Sequence, residues 1–414
     1  MDYITAKCHF DSILNSMSVL KTGRVVAQLG SMKMKKPGLE MLVVLTTGVL
    51  CLVIIMNNNK LEDVEDVTSI SKDTYEILYK HIHLPKSATL QPSFPRCEQN
   101  VSASNVTGFS TLPHNIQDFL LYRHCREFPM LLDVPTKCGG PQNSADVFLL
   151  LVIKSSPENY DRRQVLRKTW AKERQHKGVW IRRIFIIGTA GTGFNKLRLN
   201  KLVKLENSKN QDILQWDFSD TFFNLTLKQI LFLQWMDRWC PQARFLLNGD
   251  DDIFANSFNM VEYLQGQEGN DGSKHLFTGH LIQNVGPIRH PASKYYVPVQ
   301  VQESDRYPPY CGGGGFLLSG FTARTIYNMS HSITILPIDD VYMGMCLEKA
   351  GLQPESHFGV RTAGLHIPSE NVDRFHPCYY REIILVHRFL PHQIFVMWDE
   401  IQDPNLKCGA EFSL

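Results

Sequence analysis

One long apolar run lies near the N-terminus of the chain. Met41 to Met56 reads MLVVLTTGVLCLVIIM, 16 residues without a charge, and as a helix it would span roughly 24 Å against a hydrocarbon core of about 30 Å. A thinner early-secretory membrane tolerates that mismatch. Basic residues precede the run and acidic residues follow it, so the positive-inside rule keeps the N-terminus cytosolic. Because no small-residue cleavage site follows, the pattern predicts an uncleaved signal-anchor at 37–57 rather than a cleaved signal peptide.

The polar stretches on either side of this run divide the rest of the chain. Residues 1–36 form the predicted cytosolic tail, whose first 31 residues have no periodicity and are an extension if Met32 or Met34 is the true start. Residues 58–137 hold scattered Pro, Ser, Asn and His, a composition typical of a partly ordered stem. The alternative is a small independent domain stapled by cysteines. Residues 138–414 are predicted to form the main folded domain.

Continuous apolar runs alternate with amphipathic stretches in this domain. Runs of this kind are typical of strands buried on both faces, and they predict strands at 147–153, 184–187 (ended by Gly188), 213–218 and 243–248. A 3.6-residue period predicts helices at 159–170 and 224–239. Strands alternating with helices predict an α/β fold with a Rossmann-like, mostly parallel sheet flanked by helices. In such sheets ligands bind outside the carboxyl ends of the strands.

Charge and cysteine usage restrict the partners and the compartment. The 43 basic and 41 acidic residues leave a formal net charge of +2, which argues against nucleic-acid binding. Eight of the ten cysteines follow the apolar run, as expected for an oxidising compartment and up to four disulfides. The N-glycosylation sequons also follow it, at Asn100, Asn105, Asn224 and Asn328. These features agree with a lumenal domain held at the membrane by an N-terminal helix.

Three adjacent aspartates, Asp250 to Asp252, directly follow the fourth predicted strand. Their ionised forms repel one another unless a cation or basic groups balance them. Carboxylate oxygens are the ligands that hard divalent ions prefer. The alternative is a solvated acidic turn or a helix cap. At the carboxyl end of a buried strand, we favour a metal site beside substrate phosphates.

A second acidic pair, Asp339 and Asp340, stands before an apolar, helix-like run. A carboxylate can act as a general base on a substrate hydroxyl, whereas the alternative is a helix N-cap followed by a first-turn acid. The nearby glycines at 312–315 allow close approach of a ligand to the backbone, because no Cβ intervenes. Their alternative is a flexible loop.

Eight short motifs occur in order between Asp146 and Cys408. They are IKS at 153–155, RRQVLRKTW at 162–170, DFSD at 217–220, NLTLK at 224–228, DDD at 250–252, YPPYCGGGGF at 307–316, IDDVYMG at 338–344 and HR at 387–388. Together they resemble the β-1,3-glycosyltransferase family. The four glycines and the IDDVYMG form are most similar to its β-1,3-N-acetylglucosaminyltransferases, and the β-1,3-galactosyltransferases are the alternative.

The resemblance implies a GT-A fold and an inverting, metal-dependent transfer. N-acetylglucosamine would pass from UDP-GlcNAc, in β1-3 linkage, to galactose-terminated glycans on glycoproteins or glycolipids. Asp340 is the expected base, with Asp339 in support. Asp252 and His387 are the expected ligands of Mn²⁺ or another divalent cation. Asp250 is expected to hold the metal or its bound water, or to contact the ribose.

The remaining expectations concern the nucleotide-sugar and the acceptor. The residues expected to bind UDP-GlcNAc are Lys154, Arg163, Arg167, Asp250, Asp251, Gly313 and Gly314, and the alternative for the basic ones is a surface salt bridge. Asp251 is also expected to help fix the turn. The side chains that would stack on sugar faces, or else pack in the core, are Tyr295, Tyr296, Tyr307 and Tyr310.

The resemblance further implies a type II membrane enzyme of the Golgi apparatus that takes part in protein glycosylation. Homo-oligomers, or hetero-oligomers with other Golgi transferases, are compatible with this interpretation. The non-enzyme alternative is an inactive lumenal glycan-binding protein or chaperone. The intact acids at 250–252 and 339–340 argue against it.

Overall fold

The computed structural model describes residues 97–361 and 375–409, all within a unit that runs from Pro92 to Leu414. The predicted cytosolic tail, the predicted signal-anchor and residues 58–96 of the predicted stem lie outside the described residues. None of the helices in the described ranges combines the length and the apolar content that a membrane span requires.

Fourteen strands occur in the described residues, and nine of them form one sheet. The strands are β1 (Met130–Leu132), β2 (Val147–Lys154), β3 (Arg174–His176), β4 (Val179–Thr189), β5 (Ile213–Ser219), β6 (Phe245–Asp250), β7 (Ile253–Ala255), β8 (Phe277–Gly279), β9 (Leu281–Ile282), β10 (Tyr310–Cys311), β11 (Gly315–Ser319), β12 (Glu355–Ser356), β13 (Val360–Arg361) and β14 (Leu385–His387). The main sheet has the order β1-β5-β4-β2-β6-β11-β8-β12, with β3 paired to β4.

The centre of this sheet matches the prediction of a mostly parallel sheet. Strands β5, β4, β2 and β6 are parallel, whereas β1, β3 and β11 pair antiparallel with β5, β4 and β6. Beyond β11, β8 pairs antiparallel with β11 and parallel with β12. The sheet is therefore mixed, and the prediction of a mostly parallel sheet is wrong outside β5, β4, β2 and β6 except at the pair of β8 with β12. The reason is that alternation of strands and helices does not fix strand direction: α5 lies between β6 and β11 in the chain, yet β11 runs antiparallel to β6. The predicted α/β architecture, a sheet flanked by helices, is confirmed.

Nine α-helices cover the sheet in the described residues. They are α1 (His114–Tyr122), α2 (Tyr160–Lys168), α3 (Gly193–Asn210), α4 (Leu225–Trp239), α5 (Ser257–Gln265), α6 (Gly320–Ser330), α7 (Asp339–Lys349), α8 (Pro377–Glu382) and α9 (Pro391–Glu400). The two predicted helices correspond to α2 and α4. β4 does not end at Gly188 as predicted but continues to Thr189. A Cβ at Gly188 would lie 2.7 Å from the Phe218 carbonyl oxygen, so this glycine permits close strand contact.

The central strands are buried on both faces because apolar layers lie on both sides. All eight residues of β2 are buried. Leu150 and Val152 belong to one cluster, with residues of α4, α6 and α7, while Leu149 and Leu151 belong to a second cluster, with residues of α2, α5 and α9. Successive side chains of a strand point to opposite faces. One uninterrupted apolar run in the sequence therefore supplies both cores.

A small three-stranded sheet places the C-terminal strand β14 beside the acidic triplet. β14 pairs antiparallel with β7, and His387 lies opposite Ile253 in this register. β13 adds to β14 in parallel. Because β7 begins directly after Asp252, this pairing brings His387 beside the triplet.

The described part of the predicted stem packs onto the main domain. α1 contributes Ile116, Phe119 and Leu120 to the first apolar cluster, and β1 extends the main sheet beside β5. The disulfides in the described residues are Cys97–Cys125, Cys138–Cys240 and Cys378–Cys408. Cys311 and Cys346 are buried free thiols. The second disulfide fastens the start of the domain to the residue that follows α4.

Candidate active site

The site lies where the strand order changes direction. From β2 the chain proceeds to β4 and β5 on one side, whereas β6 lies on the other side of β2. A crevice at such a point is the usual ligand site of an α/β sheet. Lys154 and Asp250 are register partners at the carboxyl ends of β2 and β6. Both residues line a cavity of about 1120 Å³, which is large enough for an extended small molecule.

Asp250, Asp252 and His387 converge at this cavity. The Nε2 atom of His387 lies 3.1 Å from Asp252 Oδ1 and 3.7 Å from Asp250 Oδ2. The Asp250 N–H donates to the Gly314 carbonyl at 3.0 Å, and the Phe389 N–H donates to the Asp252 carbonyl at 2.7 Å. Gly314 has a φ of +101°, and a Cβ there would lie 2.9 Å from the imidazole Cγ. Glycine is therefore required for the contact between this loop and His387.

The donor set of these three residues fits a divalent cation. One ligand atom from each residue lies within 4.8 Å of the other two, and carboxylate oxygens with an imidazole nitrogen suit Mn²⁺ and related ions. Burial raises the pKa of Asp252, but the hydrogen bond and charge of His387 outweigh burial and hold this pKa below its usual value. Burial lowers the pKa of His387, but Asp252 and Asp250 raise it above its usual value. The carboxylate is thus kept ionised, as a metal ligand must be.

Asp251 has a different environment from its two neighbours, because it is buried against the end of β2. Its Oδ2 atom accepts hydrogen bonds from Ser155 Oγ at 2.6 Å and from Asn159 Nδ2 at 2.9 Å. The Arg162 Nε atom lies 3.8 Å from its other oxygen. Burial raises the pKa of Asp251, and the hydrogen bonds from Ser155 and Asn159 oppose that rise. The side chain joins the acidic turn to the segment between β2 and α2.

Lys154 is a buried cation between the two acidic groups of the site. Its Nζ lies 3.1 Å from Asp250 Oδ1 and 2.6 Å from Asp339 Oδ2. Burial disfavours the ammonium form, but the charges of Asp250 and Asp339 outweigh burial and raise the pKa of Lys154. The lysine therefore remains charged, and it links the end of β6 to the start of α7.

Asp339 and Asp340 begin α7 and face the same cavity. Asp340 Oδ1 accepts the backbone N–H of Val341 at 2.9 Å. Burial, followed by the negative charge of Asp339, raises the pKa of Asp340 to about 7. A Cβ on Gly313 would lie 3.3 Å from Asp340 Oδ2, so the glycine loop passes directly beside this carboxylate. A carboxyl group with this pKa can exchange a proton near neutral pH.

The structure does not place Arg163 and Arg167 at the cavity, although the sequence suggested that they bind the nucleotide-sugar. Arg163 is fully buried, with Nη2 2.8 Å from Glu206 Oε2. Arg167 lies 2.6 Å from Glu206 Oε1 and 2.8 Å from Asp212 Oδ1. Their guanidinium groups are occupied by these internal carboxylates, which the sequence does not reveal. We correct the expectation: neither residue lines the cavity.

Sequence reasoning missed a second buried ion pair in the cavity wall. The Nζ atom of Lys228 lies 2.7 Å from Asp220 Oδ1 and donates to the Ser155 carbonyl at 2.7 Å. Asp220 Oδ2 accepts the Gly188 N–H at 2.8 Å. The pair thus joins the ends of β2, β4 and β5. The DFSD and NLTLK motifs were the available signal, but neither Asp220 nor Lys228 was assigned to the site.

Aromatic side chains line the other wall of the cavity. They are Phe222, Tyr295, Tyr307 and Tyr310, whereas Tyr296 does not line it. The Oη of Tyr307 is buried and has no hydrogen-bond partner among the described residues. Burial raises the pKa of Tyr307 to about 12, so its phenol remains a neutral donor at physiological pH. This wall presents apolar aromatic rings to the cavity, and such rings are common in the walls of ligand sites.

The four sequons differ in exposure. Asn100, Asn105 and Asn328 are exposed, whereas Asn224 is partly buried and its Nδ2 donates to the Ser219 carbonyl at 2.9 Å. Glycosylation at all four positions stays a prediction.

Comparisons with known proteins assign the chain to a family. A model of the galactosyltransferase family matches residues 161–357. Human N-acetyllactosaminide beta-1,3-N-acetylglucosaminyltransferase 3 is 55% identical over 322 residues, which cover 78% of this chain and 84% of that protein. Human acetylgalactosaminyl-O-glycosyl-glycoprotein beta-1,3-N-acetylglucosaminyltransferase is 49% identical, over 76% of this chain and 81% of that protein. The chain belongs to the galactosyltransferase family. The identities confirm the resemblance of its motifs to the β-1,3-N-acetylglucosaminyltransferases.

Similarity to solved structures is much weaker. The galactosyltransferase LgtC, solved with donor and acceptor sugar analogs, has a TM-score of 0.32 and 12% identity, over 61% of this chain and 96% of that chain. A similarity this low does not define the fold or the site.

Proposed function

We propose that this chain transfers N-acetylglucosamine from UDP-GlcNAc, in β1-3 linkage, to galactose-terminated glycans of glycoproteins or glycolipids. The observation that carries the proposal is the convergence of Asp250, Asp252 and His387 in one cavity with Asp339 and Asp340. The 55% and 49% identity to two beta-1,3-N-acetylglucosaminyltransferases supports the choice of sugar and linkage.

We assign the diphosphate end of the cavity to the acidic triplet. Asp252 and His387 would hold Mn²⁺ or another divalent cation, with Asp250 as the third ligand. The bound cation would supply Lewis-acid neutralisation of the diphosphate charge. Lys154, already paired with Asp250 and Asp339, holds these carboxylates in place. Gly313 and Gly314 shape the loop beside the sugar, and Asp251 acts on the turn rather than on the ligand.

We assign the acceptor end to the start of α7. Asp340 would take the proton of the acceptor hydroxyl while the hydroxyl oxygen bonds to C1 of the sugar and the bond from C1 to the diphosphate breaks. This single displacement converts an α-linked sugar into a β-linked product. Asp339, held at 2.6 Å by Lys154, supports the base by its negative charge. The aromatic wall would bind the acceptor sugar faces.

We further propose how the enzyme is placed in the cell. The chain would be a type II protein of the Golgi membrane, anchored by residues 37–57 and raised by a stem within 58–137. This placement rests on the apolar run and its flanking charges. It would present the catalytic domain to lumenal glycans, alone or as an oligomer with other transferases.

The test uses the full-length chain purified in detergent. It is incubated with UDP-GlcNAc or UDP-galactose, Mn²⁺, and acceptors ending in galactose or in N-acetylglucosamine. The expected product is β1-3-linked N-acetylglucosamine on galactose, lost with a chelator and lost in Asp340→Asn. Asp237→Asn, on the exposed face of α4, is the matched control and should keep full activity.

Two other outcomes would change the assignment. Transfer of galactose alone would identify a β-1,3-galactosyltransferase that uses the same site. A folded chain that binds UDP but transfers neither sugar would identify an inactive glycan-binding protein or chaperone.

A further inference from the structure

Ser155 is a buried residue of the cavity wall, placed directly after β2. Its side-chain oxygen donates to Asp251 Oδ2 at 2.6 Å and accepts from Arg163 Nη1 at 2.9 Å. Its backbone N–H donates to the Ile186 carbonyl at 3.1 Å, and its own carbonyl accepts from Lys228 Nζ at 2.7 Å. Every polar atom of this residue therefore has a partner within the protein.

The neighbouring arginine sets the direction of the Ser155 hydroxyl. A guanidinium group can only donate hydrogen bonds, so Arg163 occupies a lone pair of the hydroxyl and leaves its hydrogen directed at Asp251. Arg163 is itself held by Glu206, at 2.9 Å from Nε and 2.8 Å from Nη2. The hydroxyl is thus oriented by a buried ion pair and is not free to rotate.

This bond acts on the middle residue of the acidic triplet. Asp251 has its carboxylate against Ser155 and Asn159, whereas Asp250 and Asp252 have theirs within reach of His387. We propose that Ser155, oriented by Arg163, is a positioning residue that anchors Asp251 and thereby keeps Asp250 and Asp252 converged with His387. This inference rests on the proposed function, because it takes the three converging residues to be metal ligands.

The first test is Ser155→Ala in the full-length chain. Mn²⁺ affinity is measured without substrates, from the electron paramagnetic resonance signal of the free ion. Direct partners of metal ligands contribute about 10–100-fold in affinity. Ser155 acts one residue further out, through Asp251, so we expect binding to weaken by up to about 10-fold. The Mn²⁺ concentration for half-maximal transfer should rise by the same factor. Ser155→Thr, which retains the hydroxyl, should restore binding.

A matched control separates positioning from a general loss of stability. Ser257 is also buried, accepts from Arg174 Nη2 at 2.7 Å and donates to the Trp170 carbonyl at 2.7 Å. It bridges an arginine and an acceptor in the same way but does not line the cavity. Ser257→Ala should leave Mn²⁺ affinity unchanged. Unchanged affinity in Ser155→Ala, or an equal loss in both variants, would overturn the inference.

A second variant keeps the test decisive if Ser155→Ala does not fold. Asn159→Ala removes the other hydrogen bond to Asp251 Oδ2 and should weaken Mn²⁺ binding in the same direction; wild-type affinity there would also contradict positioning through Asp251. If the wild-type chain neither binds Mn²⁺ nor transfers sugar, the proposed function itself fails. If the wild-type chain does both and the variants bind Mn²⁺ with wild-type affinity, the positioning role alone fails.

Discussion

Two clusters of charged residues near α2 use their charges differently. The arginine network is closed within the protein and consists of Arg163, Arg167, Arg183, Glu206 and Asp212. The cavity cluster faces the candidate active site and consists of Lys154, Asp250, Asp252, Asp339, Asp340 and His387.

The balance of charge separates the two clusters. In the arginine network each carboxylate pairs with two guanidinium groups, and although burial raises the pKa of Asp212, the arginines outweigh it and hold this pKa below its usual value. In the cavity cluster the carboxylates outnumber the basic side chains. Burial, followed by the negative charge of Asp339, raises the pKa of Asp340 to about 7. Complete internal pairing leaves no charge available to a ligand, and breaking such a pair is costly. A surplus of acid at a cavity binds cations and exchanges protons.

The largest expected effect would come from the proposed base. Asp340→Asn removes the proton acceptor and should lower kcat by about 10²–10⁴-fold, the usual contribution of a general base. Steady-state kinetics at saturating UDP-GlcNAc and Mn²⁺ measure this loss. An unchanged thermal midpoint would show that the variant is folded. Near-wild-type kcat would remove Asp340 from the mechanism.

The next effect tests the arginine network. Arg167→Ala leaves Glu206 and Asp212 without one of their partners and should lower the free energy of unfolding by about 3–5 kcal/mol, as for other broken buried pairs. Denaturant unfolding of the full-length chain measures it. Lys177→Ala, which breaks the exposed pair with Glu262, should cost less than about 1 kcal/mol. If Arg167→Ala instead raised only the KM for UDP-GlcNAc, the contrast between the clusters would be wrong.

A smaller effect is expected at the metal ligands. His387→Ala removes the one nitrogen ligand of the set and should raise the Mn²⁺ concentration for half-maximal activity by at least about 10-fold, since even outer partners contribute that much. Titration of activity with Mn²⁺ after chelation measures the shift. Activity that a chelator does not abolish in the wild-type chain would rule out a metal at this cluster.

The smallest effect is the pH dependence. Because the pKa of Asp340 is raised to about 7, the carboxylate form is lost as the pH falls through that value. We therefore expect kcat/KM to rise between pH 6 and pH 8 and to be about 10-fold lower at pH 6 than at its plateau. A rate profile over this range measures it. A flat profile would mean that Asp340 does not transfer the proton in the limiting step.

The comparison also explains where sequence reasoning succeeded. The apolar run of β2 and the acids after β6 are local patterns, and each lies where the period and the flanking residues place it. The same reasoning was wrong for Arg163 and Arg167, which were expected to bind the nucleotide-sugar. Their position after the first predicted strand indicated a phosphate contact, but their partners Glu206 and Asp212 lie 39 to 45 residues further along the chain. No local pattern reports that pairing.

The sequence by itself determined the α/β class, the family and the candidate acids at 250–252 and 339–340. The reason is that the periodicity of apolar residues and the order of the motifs can be read from residues close together in the sequence. Only the tertiary structure decided that β1, β3 and β11 pair antiparallel in the sheet, that Lys154 joins Asp250 to Asp339, and that Ser155 holds Asp251. These contacts depend on strand register and on side chains far apart in sequence, 185 residues for Lys154 and Asp339. Residues so far apart in sequence meet only when the packed core brings their segments together.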